Sequence, residues 1–202
     1  MEVRAPLKCP RSEIDGFVAS KEKWIRDKLA LSQRRTERKE AFALSYGGSI
    51  TLRGGLYPLE ARAGKRAGFD GSSFYLPYGL EPEQIKDIVV KIYRRLAKLH
   101  LTGRVALYSG RMEVTASAVK VTAAKTRWGS CSSLGSINFS WRLIMADDEV
   151  IDYVVVHELA HIKEMNHSAN FWKIVEGVLP DYRERKERLR RLQSRLAAEN
   201  WE

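Results

Sequence analysis

Three of the chain's four histidines fall in one stretch, Val154 to Trp172, which reads V-V-V-H-E-L-A-H-I-K-E-M-N-H-S-A-N-F-W. Ile151, Val154, Val155, Leu159 and Ile162 give its first half an apolar helical stripe. The stripe does not account for the histidines, so their clustering needs a separate cause. On a helix, His157 and His161 are one turn apart and project from the same face. Two imidazoles so placed can hold one cation, and zinc accepts neutral imidazole nitrogen at about 2.0–2.1 Å. Glu158 sits about 100° round the helix from His157. It can lie beside the ion without ligating it, where a base acting on water belongs.

A third ligand cannot come from the next helical turn, which rises about 5.4 Å away. The chain must leave the helix and return. Asn166 suits a left-handed helix end, and Ser168 suits the cap of a following helix that carries Phe171 and Trp172. His167 then falls on the turn between them and completes three protein ligands. Three ligands with an open position is the catalytic zinc arrangement, whereas structural sites are closed by four. Glu164 is too far along the helix to ligate beside His157 and reads either as solvated or as supporting the ligands from behind. Glu176, on the following helix, is the alternative third ligand.

At 202 residues the chain has room for one domain with a real core, of which 1–80 reads as a β-rich N-terminal subdomain and 81–202 as the catalytic core. Cys9 and Cys131 are too few for a disulfide scaffold. Neither has a second cysteine at ligand spacing, and Cys131 is not a nucleophile if the histidines serve a metal. The opening M-E-V-R-A-P-L-K-C-P lacks the apolar run of a signal peptide, and no stretch approaches the about 20 apolar residues of a membrane span. A cytoplasmic setting is expected. The net charge of +10 fits attraction to nucleic acid or another polyanion. Its basic runs interleave acids, however, as solvated helix faces also do.

Along the chain, Ser12 to about Glu40 reads as a helix. S-I-T-L-R, L-Y-P-L-E-A-R and S-F-Y-L-P read as a small β-meander broken by Gly pairs and a basic loop. Pro82 opens a core helix to about Leu101, with His100 at its surface end. R-V-A-L-Y-S and M-E-V-T-A-S-A-V-K-V-T read as strands, then K-T-R-W-G-S-C-S-S-L-G as a connection and S-I-N-F-S-W-R-L as a third strand. Asp147 and Asp148 suit the positive start of the histidine-bearing helix. Two further helices follow, separated by Pro180.

K-T-R-W-G-S-C-S-S-L-G-S-I-N-F-S-W-R-L, V-I-D-Y-V-V-V-H-E-L-A-H and N-H-S-A-N-F-W together resemble the YgjP-like zinc metallopeptidase family, related to the SprT-like and WLM proteases of the zincin group. The resemblance is dense from about Lys125 to Tyr182. It implies zinc on His157, His161 and His167, Glu158 as general base, and Arg127 to Ser132 as a second signature. It also implies an α+β fold: a zincin-like core with an N-terminal helix and β-meander, the active-site helix and C-terminal helices. In such cores an extended substrate can join a sheet edge, and Ser136 to Trp141 is the expected edge. The histidine spacing equals that of the metzincins, but Glu164 replaces their glycine, so metzincin membership is not assigned.

The expected activity is zinc-dependent hydrolysis of a polypeptide, with Arg127 either a second donor to the oxyanion or a structural ion-pairing residue, and Asn166 beside the site. Hydrolysis of a nucleotide or another non-peptide substrate is the alternative, although phosphoryl chemistry favours carboxylate-held magnesium. A nucleic-acid-associated protease and a non-catalytic zinc module are the other classes.

Overall fold

A computed structural model describes residues 2–201. The chain divides into two compact units: residues 2–42 with Ala197–Asn200, and Ala43–Leu196 with Trp201. The first unit holds α1 (Arg11–Ser20) and α2 (Glu22–Glu40), neither with a buried residue. The single helix expected here breaks at Lys21. Ser20 Oγ donates back to the Phe17 carbonyl at 2.7 Å, the local bonding by which serine competes with a continuing helix.

The second unit is mixed α+β, as expected. Its first sheet comprises β1 (Ser49–Leu52), β2 (Gly55–Arg62), β3 (Gly68–Phe69) and β4 (Phe74–Pro77) in the order β1-β2-β4-β3. Arg53 (φ 49°) and Gly54 (φ 77°) form the two-residue turn between β1 and β2, with both residues left-handed as such a hairpin requires. The expected meander is corrected at β4, which pairs parallel to β2 because the basic loop crosses back first. Within that loop, β3 takes the outer side of β4.

Then α3 runs from Pro82 to Met112, opened by a reciprocal cap between Glu81 and Gln84. The strand expected over Arg104–Ser109 is helix instead. Leu101, Val105, Tyr108 and Met112 continue the buried row of Ile85, Val89, Tyr93 and Ala97 at helical spacing. The second sheet comprises β5 (Ala118–Thr122), β6 (Gly129–Cys131) and β7 (Ser136–Ser140), ordered β5-β7-β6. The expected edge strand, β7, is therefore central. The true edge beside it is β6, from the stretch read as a connection.

After a 3-10 turn (Trp141–Met145) come α4 (Asp148–Lys163), α5 (Ala169–Val178) and α6 (Tyr182–Leu196). The helix α4 packs against α3, α5, α6 and β6. It is buried nearly all round, which makes its polar residues notable. Asp147 caps it, accepting from Val150 N–H at 3.0 Å. The β1–β2 turn grips the same end: Arg53 N–H donates to the Ile144 carbonyl at 2.8 Å, and its guanidinium makes two bonds to Asp148. His100 is half-buried and not a free surface residue, with its Nε2 3.0 Å from Asp148 Oδ1. Farther along, buried Asp152 is held by the Arg104 guanidinium and by the Tyr108 hydroxyl at 2.9 Å, which fixes α4 to α3. No helix among the described residues is long and apolar enough to cross a membrane.

Candidate active site

The last turns of α4 carry His157, Glu158 and His161, and the link to α5 carries His167. One potential ligand atom from each histidine lies within 4.8 Å of the others, and His157 Nε2 is 3.0 Å from His167 Nε2. The helix ends at Lys163 with Glu164 extended (φ −141°). The Glu164 carbonyl lies 3.2 Å from His161 Nδ1, and because a carbonyl only accepts, Nδ1 is the protonated nitrogen. That tautomer leaves the His161 Nε2 lone pair for a cation. Burial pushes the His157 pKa down to about 3, with His161, His167 and Lys186 adding to the shift. Burial also lowers that of His167, helped by His161 and Lys186. Neutral imidazole is the form that ligates a metal.

Phe171 forms the floor. It is fully buried, and its ring centroid lies 4.9, 4.6 and 4.7 Å from those of His157, His161 and His167. Trp172 stacks on His167 at 5.8 Å. Both belong to α5, whose start is fixed by Ser168 Oγ accepting from Phe171 N–H at 3.2 Å. Ser168→Ala should therefore lower stability by about 1 kcal/mol. A thermal unfolding curve checks this, since an unchanged midpoint would leave the α5 start without its cap contribution.

Glu158 is 5% exposed, and its Oε2 is buried with no hydrogen-bond partner among the described residues. Burial pushes its pKa up to about 7, against the opposing charge of Arg127. Strand β6 crosses directly over it. A Cβ added at Gly129 would stand 2.4 Å from Glu158 Oε1 and 2.6 Å from its Cγ. Only glycine permits that approach.

These residues sit in a chain whose residues 1–192 match the model of the YgjP-like metallopeptidase domain. The chain belongs to the YgjP-like metallopeptidase family. It is also similar in part to the solved metallopeptidase zymogen of Pyrococcus abyssi abylysin, at 25% identity over 48% of this chain and 94% of that one, with a TM-score of 0.42. No curated protein matches.

In this YgjP-like metallopeptidase the other expected site residues are dispersed. Arg127 is exposed just ahead of β6, close enough for its charge to act on Glu158. Asn166 is exposed, and its carbonyl accepts from Ser168 N–H at 2.7 Å. It is not left-handed, because the helix has already ended two residues earlier. Glu176 is exposed on α5 and pairs with Arg183 at 3.4 Å, apart from the histidine cluster. Burial raises the Cys131 thiol pKa and the Glu158 charge adds to it, which disfavours a thiolate. The residues that sequence reasoning missed are Gly129 and the Phe171 floor. The glycine inside R-W-G-S-C-S was the available signal for the first.

Proposed function

We propose that this YgjP-like metallopeptidase hydrolyses polypeptides with one zinc ion held by His157, His161 and His167 and with Glu158 as general base. The observation that carries this reading is the convergence of three imidazole nitrogens within 4.8 Å, beside a buried carboxylate. The donor set fits the metal. Two nitrogens at about 2.0–2.1 Å from one tetrahedral ion are about 3.3 Å apart, and the His157 and His167 Nε2 atoms are separated by 3.0 Å. Zinc bound there supplies Lewis acidity to the scissile carbonyl and to a water molecule.

The chain's own residues supply the rest. Glu158, with its pKa raised to about 7, takes a proton from water and returns it to the leaving amide nitrogen. Its burial keeps competing donors away. Arg127 stabilises negative charge developing on the substrate oxygen. An extended substrate joins the open edge of β6, gaining main-chain hydrogen bonds with little demand on sequence. Nucleotide hydrolysis ranks second, since three imidazoles suit zinc better than the carboxylate-held magnesium of phosphoryl transfer.

The test measures zinc per chain and hydrolysis of an unfolded protein, with and without chelator. We expect about one zinc per chain, activity lost on chelation and restored by zinc, and zinc largely lost in His167→Ala. Undiminished zinc in His167→Ala would move the third ligand away from His167. Hydrolysis that survives complete metal removal would end the metal-dependent reading.

A further inference from the structure

A row of stacked rings starts at His167, and its last member, Tyr153, comes back to within 5.9 Å of the His157 ring. Trp172 stacks on His167 at 5.8 Å and 26°, and on Tyr182 at 5.3 Å and 18°. Tyr182 in turn stacks on Tyr153 at 6.5 Å and 20°. Trp172 and Tyr182 are also the aromatic wall of a cavity of about 410 Å³, whose other lining residues are Arg183, Lys186, Glu187 and Arg190. Three cations thus face one carboxylate around an apolar wall. Arg183 is paired with Glu176 at 3.4 Å and Arg190 with Glu187 at 3.3 Å. Lys186 differs. Its ammonium stands 4.9 Å from the Trp172 ring centroid, held by a cation–π contact, and has no carboxylate partner among the described residues. An oriented, unneutralised cation beside a hydrophobic wall suits a ligand with an apolar stem and an anionic tip.

We propose that this cavity is a specificity pocket that takes a Glu or Asp side chain of the polypeptide substrate close to the scissile bond, with the carboxylate on Lys186 and the methylene stem on Trp172. The inference rests on the peptidase reading above and deepens it. Trp172 connects the two places, since its ring stacks on His167 and also lines the cavity. Arg183 and Arg190 add a positive field that the flanking Glu176 and Glu187 only partly cancel.

The experiment uses zinc-loaded full-length protein and peptides blocked at both ends, matched except for Glu, Gln or Lys at each position flanking the cleavage site. One charge-assisted contact is worth about a tenfold factor, so wild type should favour Glu over Gln by about tenfold in kcat/KM at one position. In Lys186→Ala the ratio should fall towards one, and in Lys186→Glu it should invert in favour of Lys. Zinc content and a thermal unfolding curve monitor the fold of each variant, and Lys186 is exposed.

Binding of the same peptides to Glu158→Gln, followed by calorimetry, reads the pocket without catalysis. Hydrolysis with no Glu preference at any position, or a preference unchanged in Lys186→Glu, would overturn the pocket and leave the peptidase intact. Lys186-dependent binding of acidic peptides that wild type never cleaves would support the pocket and sink the peptidase. A preference that appears only with a free C-terminal carboxylate would overturn the side-chain assignment. So would a nucleoside triphosphate that displaces the acidic peptide in a Lys186-dependent way.

Discussion

Glu158→Gln should cut hydrolysis of an unfolded protein by about 10²–10⁴-fold in kcat, the usual contribution of a positioned general base, while zinc per chain stays at the wild-type level. The amide is nearly isosteric with the carboxylate, so the packing under Gly129 is kept. It has no usable basicity, so the proton of the attacking water has no acceptor. The environment offers no substitute base, because Glu158 is 5% exposed and, among the described residues, no carboxylate joins the histidine cluster. The three histidines are also committed elsewhere: one to a backbone carbonyl through Nδ1, and two with Nε2 atoms turned to a common point. Retention of activity within a few fold would mean that water is activated without Glu158, and the proposed mechanism would fail. Loss of zinc together with activity would mean that Glu158 holds the metal, a different failure that elemental analysis separates from the first.

The histidine site was legible because its signal is local. His157, Glu158 and His161 are fixed relative to one another by helix geometry alone, and Ser168 declares the next helix start by its capping chemistry. Burial of α4 could also be read from Ile151, Val154, Val155 and Leu159. What failed was long-range or too short to carry a pattern. The segment Arg104–Ser109 is a short apolar run, Val-Ala-Leu-Tyr, between polar ends and so reads as a strand. Its true register emerges only against the whole row from Ile85 to Met112. The parallel pairing of β2 with β4 depends on where a basic loop crosses, which no local propensity specifies. Strand β6 is three residues, Gly-Ser-Cys, with no β-branched or aromatic member. Without it the edge was assigned to β7, whose sequence S-I-N-F-S is the better strand and for that reason sits in the middle of the sheet, paired on both sides.

The same short strand explains a motif whose spacing offers no chemistry of its own. R-W-G-S-C-S delivers three things to Glu158: the charge of Arg127, the backbone of Gly129 and the half-buried thiol of Cys131. Of these, Gly129 is fixed most tightly by geometry. Tyr108, Arg104 and Asp152 hold α4 from behind, and Asp147, Arg53 and Asp148 hold its start, so the helix cannot retreat cheaply. Any group added to β6 must push either the strand or the Glu158 side chain.

Gly129→Ala should therefore lower kcat by about 10²-fold or more, the scale that a 1 Å misplacement of a catalytic group can cost, with zinc content unchanged. The added methyl would stand 2.4 Å from Glu158 Oε1, 2.6 Å from Cγ and 2.7 Å from Cδ, each well inside contact distance. A long side chain end usually yields to such a clash at little cost. Here the yielding end is the carboxylate whose position the reaction needs, and it is enclosed. Overpacking of this kind costs about 1–3 kcal/mol in stability, less than unfolding the domain requires, so the variant should fold and hold metal while losing rate. Measured zinc, thermal midpoint and kcat on one unfolded substrate decide the matter. A variant with wild-type kcat would show that Glu158 does not act from its position beneath β6. A variant that loses zinc as well would make Gly129 a requirement of the whole centre and not of the base alone. The discriminating control is Ser130→Ala: its side chain leaves the opposite face of β6 and takes a hydrogen bond from Asn138 at 3.4 Å, so it should leave the rate within a few fold of wild type.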